Sequence, residues 1–269
     1  MPNPIVGRAT ETESLLACLS AGRHVLLEGP VGVGKTALAR AVCASLGRPL
    51  FRVDGDGRYS EGKLVGYFDP PAVLASGYQP EHFVAGPLVQ AMRAGGVLFI
   101  NELNRMPEGV QNVLLPALDE YHLMVPNLGE VRAAPGFALV ATQNPAEFVA
   151  TGALSEALLD RFELVRLDYQ EEDEERAIVR QDAVSSPSAE VIAAAVAIAR
   201  ATRTDPRIRR GASVRAAIAI ADIAARLNGD VLRAAALALP TRIELVDPLA
   251  TPLSGILDDL AKKAQVAAP

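Results

Sequence analysis

Eight residues constrain this chain more than any others: Gly29-Pro30-Val31-Gly32-Val33-Gly34-Lys35-Thr36, which fit the spacing G-x-x-x-x-G-K-[ST] at every fixed position. The short apolar run His24–Glu28 feeds this loop and the helical pattern Ala37–Leu46 leaves it, which is the context such a loop needs. Glycines let successive backbone N–H groups turn inward on one anion, where side chains would obstruct them. The helix that follows presents its positive end to the same point. Lys35 is placed to contact the β- and γ-phosphates of a nucleotide, and the Thr36 hydroxyl to ligate Mg²⁺.

The rest of the first 168 residues repeats that local order. Strands are predicted at His24–Glu28, Pro49–Val53, Val97–Asn101, Phe137–Thr142 and Glu163–Leu167, all nearly apolar throughout, as strands buried on both faces are. Helical patterns lie between them, including Val110–Leu118, and Thr10-Glu11-Thr12-Glu13 has the spacing of a capping box. Strands alternating with helices imply a parallel sheet covered on both sides. The segment Asp54–Phe83, rich in Gly, Tyr, Pro and Asp, is too long for an ordinary connection and reads as an insertion. Asn127-Leu128-Gly129 carries turn chemistry. From 169 to 269 the composition turns Ala-rich and helical, beginning with the acidic run Glu171–Glu175 and showing no strand pattern. The acidic run suits a helix start, where it complements the dipole.

Composition narrows the partners. With 26 Lys and Arg against 32 Asp and Glu the net charge is −6, which argues against a broad nucleic-acid or anionic-membrane surface. Arg207, Arg209 and Arg210 form only a small basic patch, better suited to nucleotide or subunit contacts. The apolar run Val191–Ala199 falls well short of the ~20 residues a membrane span needs. The amino terminus has no apolar signal-peptide core, and Cys18 and Cys43 match no metal or redox spacing, so a cytoplasmic protein with reduced thiols is expected. His24, His82 and His122 are scattered without ligand spacing.

A second motif completes the first. Val97-Leu98-Phe99-Ile100 is an apolar strand ending on Asn101-Glu102, and a carboxylate at such an end can polarise an attacking water, which makes Glu102 the candidate base. Asn101 stands where motifs of this kind usually carry Asp beside Mg²⁺. Asn keeps an oxygen acceptor and loses a charge.

Together with these residues, Asn101–Arg105, Ala141-Thr142-Gln143-Asn144-Pro145, Leu159-Asp160-Arg161-Phe162 and Gly211-Ala212-Ser213-Val214-Arg215 resemble the MoxR branch of the AAA+ ATPases, in order from about Ile5 to about Leu245. The resemblance implies a three-layer αβα P-loop core with a parallel sheet, followed by an all-α lid. It implies ATP and Mg²⁺ as ligands, with Thr36 and Asn101 at the metal. Asn144 would be the sensor that holds the attacking water, Arg161 the finger that reaches a neighbouring subunit, and Arg215 the second sensor on the lid. It further implies a hexameric ring, a remodelling or metal-insertion chaperone role on a protein client, and a partner carrying a von Willebrand factor A domain. The resemblance also implies a hairpin at about 122–136, turning at Asn127-Leu128-Gly129; it and the insertion would face the pore or the client, with Tyr67, Phe68 and Tyr78 as gripping aromatics. Val31 and Thr241-Arg242 depart from the family pattern without disturbing this reading. Because of Asn101, an ATP-gated scaffold that does not turn over remains an alternative, as does a GTP-using relative.

Overall fold

The computed structural model describes residues 4–144, 154–247, 255–257 and 259–260. Pro145 of the motif Ala141–Pro145 lies outside the described residues. The chain opens with α1 (Ala9–Ser20), β1 (His24–Glu28), α2 (Lys35–Ser45) and β2 (Leu50–Asp54). The insertion holds α3 (Glu61–Leu64), β3 (Gly66–Phe68), α4 (Pro70–Ser76) and β4 (Phe83–Ala85). Then come α5 (Pro87–Ala94), β5 (Val97–Asn101), α6 (Glu108–Asn112), α7 (Leu114–Asp119), β6 (His122–Val125), β7 (Gly129–Arg132) and β8 (Ala138–Gln143). The remainder is α8 (Glu156–Leu159), β9 (Phe162–Arg166), α9 (Glu172–Asp182), α10 (Ala189–Thr204), β10 (Ile208–Arg210), α11 (Val214–Arg226), α12 (Val231–Ala238) and β11 (Glu244–Leu245).

Five strands form one parallel sheet in the order β2-β5-β8-β1-β9. Side chains of successive strand residues go to opposite faces, and the apolar residues divide accordingly. Val25, Leu27, Val97, Phe99 and Val140 join Leu15, Leu19, Leu38 and Val42 of α1 and α2 on one side. Leu26, Leu98, Ile100, Leu139 and Ala141 join Leu88, Met92, Leu114 and Leu118 on the other. Burying a large apolar side chain contributes about 1.5–3 kcal/mol, so a strand such as Val97–Ile100, buried throughout, is held from both layers. Beyond β9, a third apolar cluster runs from Val179 to Leu260, built from small Ala positions and Ile residues of α10, α11 and α12. The α/β P-loop core with a helical carboxyl-terminal region is the architecture the sequence implied.

Some local expectations are corrected. The spacing Thr10–Glu13 does not cap α1: Arg8 caps it with a left-handed backbone, φ 63° and ψ 27°, and no side-chain bond. Arg8 donates to the carbonyls of Val33 and Asp168, so tertiary contacts set the helix start one residue ahead of Thr10. The pattern Val110–Leu118 is two short helices broken at Val113, because Pro116 has no N–H and crowds the carbonyl one turn back. The carboxyl-terminal region does contain strand: Ile208 pairs with Leu245 and Arg210 with Glu244. In the insertion, Phe68 packs edge-on against Tyr78 and Phe83, so it is part of a small local core. Tyr67, Leu74 and Tyr78 stay exposed. The hairpin forms as β6 and β7, with Asn127 at φ 61° and Gly129 at φ 92°.

His24, at the start of β1, is 5% exposed and satisfied on both ring nitrogens: Nδ1 accepts from the Leu139 N–H at 3.1 Å and Nε2 faces the Leu118 carbonyl at 3.1 Å. Burial holds its pKa below the usual histidine value, and a proton on Nδ1 would break the Leu139 bond. Stability from this group is complete above the unfolded-state pKa near 6.5 and is lost as pH falls below it. Chemical denaturation between pH 7.5 and 5.5 is expected to show wild-type stability falling by up to about 1.4 kcal/mol per pH unit, with a shallower slope in His24→Gln.

Candidate functional site

All five strands of the sheet end on polar residues at one edge: Glu28, Asp54, Asn101, Gln143 and Arg166. The register aligns Glu28 with both Gln143 and Arg166, and Asp54 with Asn101. In open parallel sheets ligands bind outside these carboxyl ends. Here the edge opens into a cleft of about 790 Å³ that gathers Val31–Ala37, Asn101, Glu102, Gln143 and Asn144 from the core with Val214, Arg215 and Ile218 of α11.

The glycine-rich loop is shaped by its neighbours. A Cβ on Gly29 would lie 2.1 Å from the Leu167 carbonyl oxygen, and one on Gly32 would lie 2.4 Å from Ser213 Oγ, with Gly32 at φ +82°. The loop therefore passes between the end of β9 and the start of α11 where only glycine fits. Gly34, at φ 95°, starts α2. The Lys35 ammonium donates to the carbonyls of Gly29 at 2.5 Å and Pro30 at 2.9 Å, folded over the mouth of its own loop.

A hydrogen-bonded chain crosses the next strand ends. The Thr142 hydroxyl accepts from the Glu102 N–H at 2.8 Å and donates to Asn101 Oδ1 at 3.0 Å, and Asn101 Nδ2 donates to Asp54 Oδ1 at 3.0 Å. Arg52 grips the Asp54 carboxylate through Nε and Nη2, and these bonds hold its carboxyl below the ordinary Asp range. Glu102 sits at φ 59°, a left-handed backbone rare outside glycine, with its carboxylate 3.0 Å from Arg105 Nε. Gln143 donates to Glu28 at 2.7 Å while its buried Oε1 has no hydrogen-bond partner among the described residues.

Of the residues singled out by sequence, Val31, Gly32, Val33, Gly34, Lys35, Thr36, Asn101, Glu102, Asn144 and Arg215 line this one cleft. Gly29 and Pro30, whose carbonyls accept from the Lys35 ammonium, do not line it, and neither does Arg161. Arg161 pairs with Asp119 at 2.5 Å and donates to the Ala157 carbonyl. The small basic patch is also spoken for, with Arg207 on Asp205 and Asp259 and Arg209 on Glu244. Sequence reasoning missed Arg8, Arg40 and Arg52, which with Lys35 and Arg215 bring five cations to the cleft, Arg8 paired with Glu11 and Arg52 with Asp54, against the lining carboxylates Glu102 and Asp182. On a chain of net charge −6 that concentration fits a polyphosphate. It also missed the apolar end of the cleft, where Ile5, Val6, Ala41, Ala44, Ile178 and Ile218 form a wall. Their sequence contexts carry no signal, because the amino-terminal segment reaches the cleft only through long-range bonds such as Gln170 to Val6 and Gln181 to Pro4.

Among the described residues no three His, Cys, Asp or Glu side chains group as a metal cage. The donors present are oxygens, the Thr36 hydroxyl and the Asn101 amide oxygen, which suit a hard cation completed by phosphate oxygens and water. The unpartnered Gln143 Oε1 offers a further acceptor for an ordered water in the same cleft.

Residues 24–162 match the AAA domain of the dynein-related subfamily, which is more than half of the 269 residues. The chain belongs to the AAA family. An uncharacterized protein of Staphylococcus haemolyticus strain JCSC1435 is 34% identical over 167 residues, 61% of this chain and 63% of its own length. That match spans less than two thirds of the relative. A candidate ATPase of Cytophaga hutchinsonii superposes with a TM-score of 0.54 at 22% identity, covering 96% of this chain and 90% of that one. A point mutant of Thermotoga maritima RuvB superposes with a TM-score of 0.58 at 23% identity, covering 87% and 71%. At these identities the two structures share the AAA fold with this chain. Among the described residues no helix is long and apolar enough to cross a membrane.

The contact between Gly32 and Ser213 makes a direct test of this AAA site. Gly32→Ala forces a side chain into a left-handed backbone and against α11, and is expected to cost about 1–2 kcal/mol or more of stability and to weaken nucleotide binding. Thermal melts with and without nucleotide measure both.

Proposed function

We propose that this AAA protein binds Mg·ATP in the cleft and hydrolyses it within a hexameric ring, as a MoxR-like remodelling or metal-insertion chaperone of the cytoplasm. One observation carries the reading: Lys35, Thr36, Asn101, Glu102, Asn144 and Arg215 line a single cleft, while Arg161 stands apart from it on Asp119. A site completed by a neighbouring subunit needs that division.

The roles follow from position. Lys35 exchanges the Gly29 and Pro30 carbonyls for phosphate oxygens, a stronger partner for an ammonium. Thr36 and Asn101 would hold Mg²⁺, which when bound would neutralise phosphate charge. Glu102, released from Arg105, accepts the proton of the attacking water, and Asn144 at the end of β8 orients that water. Arg215 on α11 carries the occupied state to the lid. Arg161 must leave Asp119 to reach the γ-phosphate of the next subunit. The exposed Tyr67, Leu74 and Tyr78 of the insertion offer an apolar grip for a protein client. A von Willebrand factor A domain on a partner chain would select that client.

Phosphate release as a function of protein concentration tests the reading. Specific activity is expected to rise with concentration, Lys35→Ala to abolish it, and Arg161→Ala to lower turnover by roughly 10³–10⁵. Mixing Arg161→Ala with Glu102→Gln is expected to restore part of it, because each mixed interface of one kind keeps both groups. Activity independent of concentration at and below the assembly midpoint would count against the finger acting between subunits. A second reading is favoured by the Glu102–Arg105 pair: a scaffold that assembles on ATP without cleaving it. Nucleotide binding with no phosphate release at any concentration would select it, and competition between ATP and GTP identifies the base.

A further inference from the structure

Position 101 closes β5 with an amide where the family resemblance implies a carboxylate, yet a carboxylate stands directly beside it. We propose that Asp54 supplies, from the neighbouring strand, the negative charge that position 101 lacks, and that Asn101 couples it to the divalent cation of a bound nucleotide. The inference deepens the ATPase reading and rests on it.

The juxtaposition is built into the sheet. Asp54 and Asn101 are register partners at the ends of β2 and β5, so their side chains leave the same face. The next residue locks that register: the Gly55 N–H donates to the Asn101 carbonyl at 2.7 Å, and a Cβ on Gly55 would lie 2.1 Å from the Glu102 carbonyl oxygen. The hydrogen bonds fix which way the amide points. Nδ2 faces Asp54 Oδ1, and Oδ1 faces the Thr142 hydroxyl, which in turn holds the backbone N–H of Glu102. A carboxylate on the N–H side polarises the amide and makes Oδ1 a better donor to a hard cation, with one lone pair still to give.

The two positions are also coupled by exclusion. Aspartate at both would set two carboxylates about 3 Å apart, with the Asn101–Asp54 hydrogen bond replaced by repulsion between acceptors. With Asp54 in place, Asn at 101 is the residue that satisfies the pair. Arg52 holds the carboxylate at 2.7 Å and itself lines the cleft, so the carboxylate is kept in position beside Asn101. Asp54 touches neither nucleotide nor reacting atoms in this scheme and is a positioning residue.

The test uses the full chain, a fluorescent ADP and Mn²⁺, with Mn²⁺ binding followed by electron paramagnetic resonance. Asp54→Asn is expected to weaken Mn²⁺ binding to the protein–nucleotide complex by roughly 10–100-fold while metal-free nucleotide affinity holds. The exchange variant Asp54→Asn with Asn101→Asp moves the charge one strand inward and is expected to return Mn²⁺ affinity to within about threefold of wild type. Asn101→Asp alone is expected to bind Mn²⁺ less tightly than the exchange variant, because its new carboxylate meets Asp54; tighter binding than the exchange would overturn the coupling of the two positions. An unchanged Mn²⁺ affinity in Asp54→Asn would overturn the proposal and leave the ATPase reading standing. So would an exchange variant as weak as Asp54→Asn, since a merely structural loss is not rescued by moving charge. Wild-type protein that binds no nucleotide would overturn both.

Discussion

Five parallel strands stop at the same edge, and the residue each one stops on decides what that edge can do. Glu28, Asp54, Asn101, Gln143 and Arg166 are the five. Because β1 lies between β8 and β9, Glu28 sits between Gln143 and Arg166 and bonds to both, which fixes the point where the glycine-rich loop departs. Because β5 lies between β2 and β8, Asn101 bridges Asp54 and Thr142. These two bonded groups, one under the loop and one under Glu102, hold the polar groups in fixed relation while the apolar strands supply the rigidity. Burying the strands on both faces is what lets a row of polar termini be rigid, since movement of any one would disturb close-packed layers.

The helical region is tied to that edge through a buried charge. Glu175, 2% exposed, lies 2.8 Å from Arg203 and 3.3 Å from Arg200, and the Arg203 guanidinium stacks 3.9 Å from the Tyr169 ring. A lone buried carboxylate would be costly, so the arginines must stay with it. Arg203 Nε also donates to the Ala212 carbonyl, and the Ala212 N–H donates to Thr202. A Cβ on Gly211 would lie 2.6 Å from the Arg203 Cα. The run Gly211-Ala212-Ser213 is thus fastened to α10 at its start and abuts Gly32 at its end. The glycine-rich loop and the start of α11, which carries Arg215, are therefore in direct packing contact.

The acidic start of α9 does two jobs. Glu172, Asp173, Glu174 and Glu175 all lie in the first turn, where they meet the helix dipole as the sequence implied, and of the four Glu175 is the one buried against Arg200 and Arg203. Hydropathy cannot separate them, since all are acidic and adjacent; only the helix's rotation against α10 does.

Local chemistry determined much of this protein from sequence alone. The loop Gly29–Thr36, the apolar strands and the Asn127–Gly129 turn are legible because each rests on backbone sterics or period-two burial within a few residues. The cleft residues Lys35, Thr36, Asn101, Glu102, Asn144 and Arg215 were found the same way or through motif resemblance. Strand order, the partner of Asn101, the restraint of Arg161 by Asp119 and the arrival of Arg8 and Ile5 at the cleft were decided only by the tertiary structure. They depend on contacts between residues such as Asp54 and Asn101, 47 positions apart, or Arg8 and Asp168, 160 apart. No local preference encodes such pairs, because they form only once the sheet has set its register.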